Sequence, residues 1–157
     1  MENRPGRPVL IVTCRAGNEG WCEEEVGNTL FRKDPDVVVA RTKYPGLLLV
    51  YSSKLSPEEA YRAALASEYG FVTRIIPVQI RGELGTRVLN SIPSLLERGE
   101  RVKLKLRVRG VRGMSKHLWR ELRRILEEHG VEHDPSSQTC LYVEVIDSEV
   151  FIGKGRC

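Results

Sequence analysis

Residues 101–116 read Arg-Val-Lys-Leu-Lys-Leu-Arg-Val-Arg-Gly-Val-Arg-Gly-Met-Ser-Lys. From Arg101 to Arg109 basic and apolar side chains alternate without a break, which is the period of a strand with one buried face. Val102, Leu104, Leu106 and Val108 are expected to enter a core, and Arg101, Lys103, Lys105, Arg107 and Arg109 to share the opposite face. Gly110 and Gly113 turn the chain into a helix expected from about Ser115 to His129, where Leu118, Leu122, Ile125 and Leu126 recur at helical spacing. Lys116, Arg120, Arg123 and Arg124 ride on its outer side. Residues 101–124 hold ten Lys or Arg and one acid, Glu121, in a chain of 157 residues whose net charge is +4, so the remainder is net acidic. Positive charge gathered on one strand and one helix is the footprint of phosphate binding driven by counterion release. The competing reading, a Lys-rich strand face that blocks edge pairing, accounts for Lys103 and Lys105 better than for Arg101, Arg107, Arg109 and Arg112.

Upstream of this stretch the pattern is β, α, β, β, α, β, a split ferredoxin-like order. Val9 to Cys14 reads as a buried strand. Asn18 caps a helix that turns Cys22, Val26, Leu30 and Phe31 inward and ends at Asp34-Pro35. Val37 to Thr42 and Leu47 to Tyr51 form a hairpin around Pro45-Gly46, a pair suited to a turn with positive φ at glycine. Ser56-Pro57-Glu58-Glu59 is a capping-box helix start. Arg74 to Ile80 is a strand that Pro77 confines to an edge. Beyond it the order is α, α, β, α, β, β: short helices over 83–90 and 94–98, the basic strand and its helix, then strands over Thr139 to Ile146 and Val150 to Ile152. The fold class is α+β, with two units expected at 1–80 and 81–157 and a loose basic arm over 1–8.

Composition is that of a soluble globular protein, 41% hydrophobic and 29% charged. No apolar run reaches the 18 to 20 or so residues that span a bilayer, and the first residues lack the apolar core of a signal peptide, so a cytoplasmic location is expected. The four cysteines, at 14, 22, 140 and 157, have no Cys-x-x-Cys spacing. Reduced thiols are therefore expected in preference to bridges or a zinc site.

The residues that fix this order also carry a family resemblance. Val9 to Arg15 with acids in the following helix, Thr42 to Val50, Thr73 to Val78 and Lys105 to Ser115 together resemble a THUMP-domain protein preceded by its ferredoxin-like companion. The Pro-Gly-Leu-Leu and Arg-Ile-Ile-Pro-Val stretches are most similar to the branch of small adaptors that partner the tRNA cytidine acetyltransferase. The resemblance implies that the two units grip the acceptor arm and 3′ CCA end of tRNA and present a distant nucleotide to a separate modifying enzyme, with cytidine acetylation the implied chemistry. By motif, Arg107, Arg109, Arg112, Ser115 and Lys116 fall on the implied RNA-contacting strand end and helix start. Charge alone adds Lys103, Lys105, Arg120, Arg123 and Arg124. His133-Asp134-Pro135 departs from the expected Asn-Pro-like turn and leaves the register of the final hairpin open.

Catalytic constellations are weak, and a non-catalytic protein with no cofactor and no metal is expected. Gly82-Glu-Leu-Gly85 does not supply a dinucleotide-binding loop, and there is no P-loop. His129, His133, Asp134 and Cys140 are a poor metal set because Gly130 interrupts the helix between the histidines. Cys14 beside Arg15 could be an activated thiol, but a cysteine within Val-Leu-Ile-Val-Thr-Cys reads as packed. Glu23-Glu24-Glu25 reads as a solvated helix face, and Trp21 and Trp119 as core residues that could alternatively stack on bases. The chain ends just after its last expected strand, and no catalytic domain is expected. The rival readings are a small RNA-modifying enzyme using Cys14 or an acid, and a ribosome-associated structural protein.

Overall fold

A computed structural model describes residues 6–157. They gather into two compact units that divide between Val78 and Gln79. The expected arm over 1–8 lies mostly outside the described residues, and Arg7 and Pro8 open the first strand.

The N-terminal unit runs β1 (Arg7–Cys14), α1 (Glu19–Phe31), β2 (Val38–Arg41), β3 (Leu47–Ser52), α2 (Pro57–Leu65) and β4 (Val72–Pro77). Its antiparallel sheet has the order β2-β3-β1-β4, so β4 with Pro77 is an edge strand, where a residue lacking an N–H costs no ladder bond. Both helices pack on one side of the sheet, where Val9, Val12, Cys22, Val26, Leu30, Leu48, Val50, Ala60 and Ala64 form the core. Gly46 sits at φ +76°, and a Cβ there would lie 2.3 Å from the carbonyl oxygen of Cys14, so the β2–β3 turn admits only glycine. Helix α2 starts on a complete capping box, Ser56 accepting from Glu59 N–H and Glu59 accepting from Ser56 N–H. After α1 the chain is pinned by Asp34, 2% exposed, which accepts a 2.6 Å bond from the Ser52 hydroxyl and a 3.0 Å bond from Asp36 N–H.

The acids of α1 are not one solvated run. Glu23 pairs with Arg41 at 2.7 Å, while Glu25 accepts backbone N–H bonds from Gly70, Phe71 and Val72 and clasps the entry to β4. Partial burial pushes the Glu25 carboxyl up, but the three amides outweigh it and hold it below the ordinary glutamate value. A depressed folded-state value means that the clasp stabilises the fold above the unfolded glutamate pKa and is lost as pH falls through the folded one. Glu25→Gln is therefore expected to destabilise at pH 7 and to flatten the acid limb of stability against pH below about pH 4.5, measured by urea titration across pH 3 to 7; an unchanged acid limb contradicts the clasp.

The C-terminal unit runs β5 (Ile80–Glu83), α3 (Thr86–Leu89), a 3-10 turn (Ile92–Leu95), β6 (Arg101–Arg109), α4 (Ser115–Glu128), β7 (Glu132–His133), β8 (Thr139–Ile146) and β9 (Glu149–Arg156). Its sheet has the order β5-β9-β8-β6-β7, with β6 parallel to β7 and β8. Val102, Leu104, Leu141, Val143, Val145, Val150 and Ile152 pack one side of this sheet against Val88, Leu89 and Ile92, and against Leu118, Leu122, Ile125 and Leu126 of α4. The helix expected over 83–90 shortens to one turn because Ile80–Glu83 instead pairs with β9, and the second helix is only a 3-10 turn. The final hairpin closes on Asp147-Ser148 with Ile146 opposite Glu149, and β9 continues to Arg156.

That continuation corrects the expectation of four reduced thiols, since Cys140 and Cys157 form a disulfide with Cα atoms 5.0 Å apart. Gly155 is the register partner of Cys140, and the Cys157 N–H bond to Gln138 carries the ladder two residues further, within bridging reach. Cys14 and Cys22 are buried and free. Burial, then a hydrogen bond with Cys14, pushes the Cys22 thiol up to about 12. Denatured, unreduced protein is expected to titrate two thiols and reduced protein four, and reduction to cost about 3 kcal/mol by the loop-closure argument. Four thiols before reduction would contradict the bridge.

Candidate nucleic-acid interface

The ten basic residues of 101–124 separate into strand, loop and helix groups, and Arg101, at the start of β6, pairs with Glu132 at 3.1 Å. Alternation along β6 puts Lys103, Lys105, Arg107 and Arg109 on one side, as expected, but their neighbours in the sheet share that side. They are Cys140, Tyr142 and Glu144 on β8 and Phe151 on β9, all buried. The charged side of the strand is thus not an open platform. Arg109 donates to Glu144 at 2.8 Å with the two side chains 17% and 5% exposed. Arg109, an RNA contact by the motif's implication, here neutralises a buried carboxylate. Lys103 and Lys105 are half-buried, and Arg107 alone of the four is exposed.

Helix α4 sorts its own charges. At 100° per residue Arg124 lies with Glu121 and Glu128, and it bridges both, at 2.8 and 2.6 Å. Arg124, expected as an RNA contact from charge alone, is thus held in a surface ion-pair triad. Lys116, Arg120 and Arg123 fall on a separate stripe, with Glu127 among them, and make no ion pair among the described residues. Arg112 stands exposed on the loop that Gly110 and Gly113, at φ +84° and +75°, carry from β6 to α4.

The start of α4 is open. Met114 occupies the N-cap position, and no side chain caps the helix, so the first-turn N–H groups and the positive end of the dipole follow the loop that carries Arg112, with Lys116 in the first turn itself. Ser115 is the first helical residue and exposed; it does not cap. An anion at this end would meet backbone donors and guanidinium or ammonium groups together.

His133 ties the helix to the strand. Strand β7 pairs with only Arg101 and Val102 of β6, and beyond it the Leu104 N–H donates to His133 Nδ1 at 3.1 Å, so the imidazole replaces the next ladder acceptor. The indole of Trp119 meets the ring edge-on at 5.3 Å between centroids. Burial first, then the charge of Arg123, hold the His133 pKa below its ordinary value, with Lys103 acting in the same direction and Asp134 opposing. The Arg123 and Lys103 cations thus reach one imidazole from the helix and from the strand. Trp119, packed against the core and His133, is not free to stack on a base. Trp21, expected in the core, is 56% exposed on α1. Cys14, a candidate catalyst by sequence, is 9% exposed in the core of the N-terminal unit.

Neither a protein-family model nor a curated protein sequence matches the chain. Solved structures do. TrmN from Thermus thermophilus matches with a TM-score of 0.65 at 17% identity, over 96% of this chain and 46% of that one. A predicted N6-adenine-specific DNA methylase from Listeria monocytogenes matches with a TM-score of 0.56 at 12% identity, over 94% and 40%. A 4-thiouridine synthetase in complex with RNA and bound ATP matches with a TM-score of 0.52 at 14% identity, over 96% and 42%. The fold is the expected one, a ferredoxin-like unit followed by a THUMP-like unit, and the chain spans less than half the length of these three proteins. They also correct the expectation of a protein apart from catalysis, because the arrangement recurs as one portion of enzymes, a methylase and a synthetase among them.

Proposed function

We propose that this chain supplies the RNA grip of a tRNA-modifying enzyme, holding the acceptor arm and 3′ CCA end while a nucleotide elsewhere in the same tRNA reaches the modifying active site. The observation that carries this reading is a set of cations with no acid partner among the described residues, Arg107 near the end of β6, Arg112 on the loop, and Lys116, Arg120 and Arg123 along one stripe of α4, a helix whose start no side chain caps. Fixed guanidinium forks and first-turn amides suit phosphate oxygens and unpaired 3′ nucleotides. Lys103 and Lys105, half-buried on β6, add field more than contacts.

The likeness to the acetyltransferase adaptors puts cytidine acetylation first among the chemistries to test, and methylation and thiolation follow from the enzymes that share the fold. Mass spectrometry of tRNA nucleosides, from cells with and without this chain, is expected to show one modified nucleoside lost and restored on complementation. An unchanged nucleoside profile would overturn the reading.

A further inference from the structure

Among the described residues the exposed large hydrophobic side chains are Trp21, Phe31 and Phe71, 56%, 58% and 38% exposed, and all three belong to the N-terminal unit. Two of them lie on α1, whose buried stripe is Cys22, Val26 and Leu30. At 100° per residue Trp21, Glu24, Asn28, Phe31 and Arg32 fall on the opposite side within a stripe about 100° wide. Phe71 widens it by stacking on Trp21, with ring centroids 5.4 Å apart and planes 14° from parallel. On its flank a Cβ added at Gly27 would meet nothing within 4 Å, so no side chain stands between this flank and a neighbour. A helix that spends its aromatic residues on solvent marks an interaction surface.

Charge selects the occupant. Acids crowd the first half of α1, at Glu19, Glu23, Glu24 and Glu25, which disfavours a nucleic acid, and Arg32 and Lys33 follow its last residue. Within the outer stripe Glu24 and Arg32 make no ion pair among the described residues. We propose that the outer face of α1 takes the same face of a second copy of this chain, antiparallel about a two-fold axis near Val26 and Gly27. That arrangement sets Trp21 against Phe31 and Arg32 of the second copy, an aromatic and cation–π contact, and brings Glu24 within a turn of the second copy's Arg32. It repeats each contact by symmetry and opposes the helix dipoles. A parallel pairing would instead put Glu24 beside its own copy.

The surface is independent of the RNA reading, and its mass measurement needs no RNA. In sedimentation equilibrium from about 1 µM to 1 mM, the parent chain is expected to rise from the mass of one chain toward that of two. Glu24→Arg and Arg32→Glu each place like charges across the axis twice and should weaken dimerisation roughly tenfold, while the two together restore both pairs. Trp21→Glu should abolish association at any salt concentration. These positions are exposed, and thermal melts confirm that each variant folds. A parent chain monomeric throughout overturns the proposal, as does a double variant no better than the singles. If Trp21→Glu weakens tRNA binding without changing mass, the face serves RNA and the proposal is also overturned.

Discussion

Arg109→Ala will lower the unfolding free energy by about 1.5 to 3 kcal/mol, the range for a charge-assisted hydrogen bond to a buried carboxylate. Glu144 is 4% exposed, and the Arg109 guanidinium reaches it at 2.8 Å from a side chain itself largely covered. Removing the acid with the base changes the sign of the argument. Arg109→Met combined with Glu144→Leu removes two buried charges at similar volume and is expected to be near neutral. Urea denaturation of the parent, the single and the double variant checks this. Because Arg109 is already balanced, the double variant should bind tRNA as the parent does. A stable Arg109→Ala protein with weakened tRNA binding would return Arg109 to the interface.

The opposite behaviour is expected one turn of chain later. Arg112→Ala, Lys116→Ala and Arg120→Ala together should cut tRNA affinity on the order of a hundredfold, since each forfeits a charge-assisted hydrogen bond. Stability should move by no more than about 0.5 kcal/mol per exposed site. The slope of log affinity against log salt should fall by roughly 2 to 3, because the variant neutralises fewer phosphates and releases fewer counterions. Neutralising Arg124 instead should leave affinity nearly unchanged, because Glu121 and Glu128 already hold it. Filter-binding titrations at several salt concentrations separate the two sets of variants; equal losses from both would mean that bulk charge, not placement, governs binding.

Most of the architecture was legible because its signals are periodic. Val102 to Val108 alternate, Leu118 to Leu126 recur at helical spacing, and the Ser56 capping box and Pro45-Gly46 turn are local chemistry; all four appear as expected. The short strands β5 and β7 were not, since four residues containing Gly82 and two residues at Glu132-His133 carry no period and exist only through pairing. The ion pairs within the basic segment were hidden for a related reason. Alternation along one strand says which side a residue takes, and the adjacent strand decides what shares that side; Glu144, an isolated acid within Leu141 to Val145, was the available warning. The basic segment was also bounded at Arg124, just short of Glu127 and Glu128, which temper the charge of the same helix. The Glu25 clasp and the exposure of Trp21 depend on tertiary contacts and solvent exposure that no local pattern encodes.

Whether the free cations around the start of α4 grip tRNA by its acceptor end can be decided by one titration. Purified chain is titrated with a tRNA and with the same tRNA lacking its 3′ CCA, each at low and at physiological salt. The complete tRNA is expected to bind more tightly and to lose affinity steeply with salt, up to about 0.9 in slope for each phosphate engaged and somewhat less at the single-stranded end. Equal affinity for the two RNAs, or a flat dependence on salt, would contradict an acceptor-end grip.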